Sequence, residues 1–142
     1  MGKRILIIDR QLGCYGEDAF PDKRAEHYQR FLESKGYSVD ILKDLHHSVP
    51  RAEGEPKKDV SEYDFVIAHP NAKDAQILRD EVENRADFRV ILNTETPSYH
   101  PELDFTDSDQ VFAFYVDRVW EWQEDVTHET EERLIQLIEN GW

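Results

Sequence analysis

Short apolar runs alternate with amphipathic segments of helical period along most of this chain. The first run, Ile5 to Ile8, is continuous and rich in β-branched residues, which is typical of a strand buried on both faces of a sheet. The alternation constrains the fold more than any other feature, because parallel strands need long crossover connections and helices supply them. The sequence therefore predicts an α/β protein with a parallel sheet.

The pattern predicts five strands and three helices over residues 1–142, which we interpret as a single domain. The predicted strands are Ile5–Ile8, Tyr37–Leu42, Asp64–Ala68, Val90–Asn93 and Val111–Val116. The predicted helices are Lys23–Lys35, a helix capped by Asn71 with Ala75, Leu78 and Val82 in one stripe, and Thr127–Asn140. Right-handed crossovers then favour the flavodoxin-like strand order 2-1-3-4-5.

Charge and cysteine content narrow the classes of partner and compartment. Acidic side chains outnumber basic ones 31 to 17, and the formal net charge of −14 repels nucleic-acid phosphates and anionic lipids. Cys14 is the only cysteine, so neither an intramolecular disulfide nor a cysteine zinc site can form within the chain. The apolar runs are too short to cross a bilayer, and no secretory signal opens the sequence. We expect a cytoplasmic protein that binds neither nucleic acid nor membrane.

Polar residues follow three of the predicted strands where each strand ends. Asp9 follows the first strand, His69 follows the third, and Asn93, Thr94 and Glu95 stand at the end of the fourth. Sheets of this order bind ligands at the carboxyl ends of their strands, where the strand order reverses. These five residues form the candidate pocket.

Three segments, RILIID, YDFVIAH and RVILNTE, resemble in order and approximate spacing the CheY-like receiver domains of response regulators in two-component phosphorelay signalling. The resemblance spans nearly the whole chain and implies a three-layer α/β/α sandwich. It also implies acidic residues after the first strand that hold Mg²⁺, and an aspartate ending the third strand that accepts a phosphoryl group. A Ser or Thr after the fourth strand and a Lys after the fifth complete the family's site.

The chain departs from that site at several positions. Asp9 matches the first acidic position, but Arg10 follows it, and a cation there repels Mg²⁺. His69 stands at the phosphoacceptor position. Thr94, or Asn93 before it, matches the hydroxyl position, and no Lys follows VFAFYV. The resemblance thus implies a non-enzymatic pseudo-receiver that acts by protein or ligand contacts without aspartyl phosphorylation.

Other interpretations of the candidate pocket stay open. His69 would serve as a phosphohistidine, a metal ligand or a hydrogen-bonded structural residue, and Asp9 either binds a cation together with Glu95 or caps a nearby loop. An alternative function is a small-molecule-binding or hydrolytic enzyme that uses Asp9, His69 and Glu95, with His69 as the general base. In a third interpretation, His69 or a carboxylate such as Asp64 or Asp74 accepts phosphate.

No cofactor is predicted, and the only metal candidate is Asp9. His46 and His47, taken with His100 or His128, have no spacing typical of metal ligands. The loop GCYGED lacks hydroxyl residues, and its two carboxylates would repel a phosphate. Cys14 has no adjacent basic residue that would activate its thiol.

Three tryptophans indicate a protein interface. Trp120, Trp122 and Trp142 lie in the carboxyl-terminal part of the chain, and tryptophan is enriched at interfaces, although core packing also explains Trp120 or Trp122. In receivers the corresponding part of the chain contributes to a face that binds effectors or a second receiver. We therefore predict a protein partner, with a homodimer through the carboxyl-terminal face as one form.

Overall fold

The structure is a computed structural model that describes residues 3–8, 23–42, 60–68, 72–93, 108–114 and 124–141. Within the helices, side chains are described from Ala25, Lys73 and Glu129 onward. The strands are β1 (Arg4–Ile8), β2 (Ser38–Leu42), β3 (Phe65–Ala68), β4 (Arg89–Leu92) and β5 (Val111–Ala113). The helices are α1 (Lys23–Ser34), α2 (Ala72–Asn84) and α3 (Glu124–Asn140), and a short 3₁₀ turn covers Val60–Glu62.

The five strands form one parallel sheet in the order β2-β1-β3-β4-β5. This confirms the strand order predicted from the sequence. The register is continuous through the middle of the sheet, where Ile7 of β1 pairs with Ile67 of β3 and Ile67 pairs with Ile91 of β4. The carboxyl ends of β1, β3 and β4 therefore lie side by side at one edge of the sheet.

The sheet is covered on both faces, so alternate residues of its inner strands enter two different cores. From β1, Leu6 and Ile8 join the core beneath α2 and the 3₁₀ turn, while Ile5 and Ile7 join the core beneath α1 and α3. All four side chains are at most 1% exposed, which explains why this run is continuously apolar.

Helices α2 and α3 bury apolar residues on opposite faces of the sheet. In α2, Ala75, Leu78 and Val82 are buried against one core, as the stripe in the sequence predicts. In α3, Leu134, Leu137 and Ile138 are buried against the other core. The strand β2 forms one edge of the sheet, also as predicted, with Val39 and Ile41 packed on the α1 side.

Candidate functional site

The predicted pocket belongs to the edge at which β1, β3 and β4 end. Ala68 closes β3 and pairs with Leu92, the last residue of β4. The backbone N–H of Asn93 donates to the carbonyl oxygen of Ala68 at 2.8 Å. This bond ties the ends of the two strands together one residue beyond the regular sheet, next in sequence to His69.

Of the five predicted pocket residues, Asn93 lies within the described part of the chain. Asn93 is 2% exposed, so it is a buried polar residue at the carboxyl edge of the sheet. Asp9, His69, Thr94 and Glu95 lie outside the described residues, although each directly follows a described segment or, for Glu95, stands two residues beyond one. The prediction that these side chains form one pocket stays a prediction.

Asp74, one of the alternative phosphate acceptors predicted from the sequence, is a buried acidic residue. It lies in the first turn of α2 and is 0% exposed. A carboxylate in the first turn is stabilised by the positive end of the helix dipole. Because its side chain is enclosed, a phosphodonor has no direct access to it in this conformation.

Asp64, the other alternative acceptor, lies at the opposite end of β3. The Arg4 backbone N–H donates to its carboxylate at 3.0 Å, and the Arg85 guanidinium lies 3.6 Å from the other carboxylate oxygen. Arg85 also donates to the carbonyl oxygen of Tyr63 at 2.8 Å. Asp64 is therefore part of a structural network at the amino edge of the sheet, away from the predicted pocket.

Gln110 extends this network to β5. Its side-chain amide donates to the carbonyl oxygens of Arg85 at 2.7 Å and Phe88 at 2.6 Å. The backbone carbonyl oxygen of Gln110 accepts a hydrogen bond from the backbone N–H of Val90 at 2.9 Å. The roles of Gln110 and Arg85 are not predicted by the sequence, because a glutamine in a loop and an arginine near a helix end give no local signal of them.

A phenol and a carboxylate meet near the β2 edge. The Tyr63 hydroxyl donates to the Asp40 carboxylate at 2.7 Å, and the Arg4 guanidinium lies over the Tyr63 ring, 5.2 Å from its centroid. Burial raises the pKa of the Tyr63 phenol well above its usual value, and the Asp40 carboxylate raises it further. The phenol therefore stays protonated at neutral pH and acts as a fixed hydrogen-bond donor.

Helices α1 and α3 are joined by His27 and Glu131, whose Nε2 and Oε1 atoms lie 2.5 Å apart. Their side chains are 30% and 16% exposed, so the contact is partly shielded from water. This pair and the apolar core hold the two helices on one face of the sheet.

Two general features of the described residues bear on function. They bring no three His, Cys, Asp or Glu side chains into a group able to hold a metal ion. Within the same ranges, no helix combines the length and the apolar character needed to cross a membrane.

The carboxyl-terminal face is described only in part. Trp120, Trp122 and Trp142 lie outside the described residues. On β5 and just after it, Phe112 and Phe114 are half-buried and pack against the core shared with α3. The Arg133 guanidinium of α3 lies over the Phe112 ring, 5.9 Å from its centroid, so a side chain of α3 contacts β5.

Comparison with known structures identifies the fold. A two-component response regulator from Clostridium difficile is 10% identical, with a TM-score of 0.50, covering 99% of this chain and 100% of that one. The response regulator TrrA from Thermotoga maritima, in complex with Mg²⁺ and BeF, is 19% identical, with a TM-score of 0.47, covering 89% and 97%. The chain has the CheY-like fold. No protein-family model and no curated protein matches the sequence.

In this CheY-like fold the strand order reverses at β1 and β3, which are neighbours in the sheet. A ligand site is expected at the carboxyl ends of these two strands. In this sequence the first residues beyond those ends are Asp9 and His69. Asp9 and His69 are therefore the first candidates for residues of a ligand site in this fold.

Proposed function

We propose that this chain is a non-enzymatic pseudo-receiver, a signalling or scaffolding module that acts by contact with another protein and without aspartyl phosphorylation. One observation carries the proposal. In a sheet of the CheY-like order, β3 ends at Ala68, and the next residue is His69 instead of the aspartate that receivers use to accept phosphate.

The neighbouring positions support the same proposal. An imidazole cannot form the acyl phosphate that an aspartate forms, and Arg10 opposes binding of Mg²⁺ beside Asp9. The two alternative acceptors are poorly suited, because Asp64 is engaged with Arg4 and Arg85 at the amino edge and Asp74 is enclosed.

The proposal includes what the sequence predicts about the whole chain. Residues 1–142 act as one domain in the cytoplasm, without a cofactor, and the partner is a protein. The surface that it contacts is the carboxyl-terminal face of β5 and α3, and Trp120, Trp122 and Trp142 are candidate contact residues from the same part of the sequence. The acidic net charge of −14 supports a protein partner over nucleic acid.

The test is a two-dimensional amide NMR spectrum of the labelled protein, recorded before and after addition of Mg²⁺ and then beryllofluoride, which mimics an aspartyl phosphate. We expect no specific shifts at the amides of Ile8, Ala68 and Asn93, which report on the three strand ends. The matched control is the double variant Arg10→Asp, His69→Asp, which restores two acidic residues of a receiver site.

The responses of the natural sequence and of the double variant are compared. A Mg²⁺-dependent response at these amides in the variant alone supports a receiver pocket that has lost its chemistry. Shifts in the natural sequence that spread from these amides to β4 and β5 would contradict the proposal. Silence in both proteins would contradict the assignment of this edge as a receiver pocket.

A further inference from the structure

The two edges of the sheet differ in how they are protected. At the β2 edge, Asp40 directs a carboxylate to the Tyr63 hydroxyl, and an inward-pointing charge on an edge strand discourages pairing with another chain. At the other edge, β5 has the sequence VFA and carries no charge. Among the described strands, β5 pairs with β4 alone.

The outer side of β5 presents backbone groups suited to strand pairing. The N–H of Phe114 bonds to β4 and the carbonyl of Gln110 accepts from β4, so the alternate residue Ala113 turns its N–H and C=O outward. Ala113 is exposed and small, so a second strand can approach it closely.

We propose that two copies of this chain associate through β5, which pairs antiparallel with β5 of the second copy about a two-fold axis at Ala113. The inference rests on the proposed function, because it names a second copy of the chain as a protein partner of the carboxyl-terminal face. The pairing joins the two sheets into one and satisfies the outward backbone groups of Ala113 in both copies.

This register matches the aromatic residues on the α3 side of the sheet. Phe112 and Phe114 both pack against the core shared with α3, so they project on the same face of the sheet. With Ala113 opposite its copy, Phe112 of each chain lies opposite Phe114 of the other. Both rings are half-buried in one copy, and cross-strand aromatic pairs stabilise antiparallel sheets.

The same register makes the charges on α3 complementary. The carboxyl end of α3 lies at the amino edge of the sheet, since Lys3 bonds to the Ile138 carbonyl, so α3 runs antiparallel to β5. The Arg133 guanidinium lies 5.9 Å from the centroid of the Phe112 ring, and this contact relates the position of α3 to that of β5. The two-fold axis passes through Ala113, which is one residue and therefore about 3.3 Å beyond Phe112 along β5. Two residues of α3, at a rise of about 1.5 Å each, cover the same distance toward the amino end of the helix. In this pairing the α3 residue nearest the axis is about 131, so Arg133 comes opposite Glu129 of the second copy, and both side chains are exposed.

Sedimentation velocity over a concentration series tests this pairing. We expect a dimer with a dissociation constant on the order of 10 µM, which suits a small interface. Ala113→Lys places two like charges opposite each other and should weaken the dimer at least about tenfold. The matched control, Ser38→Lys, adds the same charge to an exposed position of the β2 edge and should leave the dimer unchanged.

A charge exchange on α3 tests the register independently of β5 folding. Arg133→Glu should weaken the dimer about tenfold or more, and addition of Glu129→Arg should restore it. A monomeric natural protein, equal effects of the two lysine variants, or failure of the exchange to restore the dimer would each overturn the inference. A strict monomer leaves the phosphorylation-independent module intact, because that proposal is decided by the amide response to beryllofluoride.

Discussion

The Lys3 ammonium group donates a hydrogen bond to the carbonyl oxygen of Ile138 at 3.0 Å, joining the residue before β1 to the last turn of α3, 135 positions away in sequence. Helix α3 has no basic residue in its own last turn. The positive charge that complements the negative end of the helix dipole is therefore supplied by tertiary structure.

We expect Lys3→Met to lower the free energy of unfolding by about 1 kcal/mol, because a partly buried, charge-assisted hydrogen bond and a dipole interaction are lost together. Urea unfolding followed by circular dichroism measures the change. Lys73→Met is the control, since Lys73 is exposed in the first turn of α2, where a cation does not stabilise the helix. An equal loss in both variants would contradict the role assigned to Lys3.

Gly141 ends α3 in a left-handed conformation and lies against Arg89. Its φ is +76°, and a Cβ at this position would lie 2.9 Å from Nη1 of Arg89. Gly36 also has a positive φ, +96°, but an added Cβ meets nothing within 4 Å. We expect Gly36→Ala to cost about 1 kcal/mol from backbone strain.

Gly141→Ala should cost slightly more than Gly36→Ala, because the same strain is accompanied by a small displacement of the Arg89 guanidinium, the flexible end of that side chain. Thermal and urea unfolding of both variants measure the difference. A double-mutant cycle with Arg89→Met should remove the extra loss. Equal losses at Gly141 and Gly36 would show that Arg89 does not contribute.

The hydrogen bond from Tyr63 to Asp40 makes the free energy of unfolding depend on pH in the alkaline range. The pKa of the folded phenol is raised above its unfolded value of about 10, so the contribution is complete below that pH. This contribution is lost as pH rises further, because the Tyr63 phenol releases its proton at a lower pH in the unfolded chain than in the folded one.

We therefore expect the free energy of unfolding to decline from about pH 10 upward, and the Tyr63→Phe variant to decline less steeply. At neutral pH the same variant should lose about 1 kcal/mol, since the Asp40 carboxylate loses a donor. Urea unfolding at several pH values tests both expectations. Parallel pH profiles for the two proteins would contradict the assignment.

The fold was predictable because burial leaves a direct trace in the sequence. The continuous apolar run of β1 reflects a strand covered on both faces, and the stripe of Ala75, Leu78 and Val82 reflects a helix covered on one. The start of α3 was predicted less well. The helix begins at Glu124, three residues before the predicted Thr127.

The polar contacts were not predictable in the same way. The Gln110 amide bonds to carbonyls 22 and 25 positions away, and only the assembled sheet brings these groups together. Asp74 is fully buried, although an aspartate near a helix start ordinarily predicts an exposed cap. Among the candidate pocket residues, Asn93 directly follows β4 and is buried, and its part in a pocket stays a prediction. The positions of Asp9, His69, Thr94 and Glu95 lie outside the described residues.

The central claim is that a CheY-like fold here carries no phosphoacceptor. Its most direct test is the intact mass of the protein after incubation with Mg²⁺ and acetyl phosphate, a small-molecule phosphodonor. We predict no covalent phosphoryl group on the natural sequence. The gain of one phosphoryl group that hydroxylamine replaces with a hydroxamate would reveal an acyl phosphate on a carboxylate and would contradict the account.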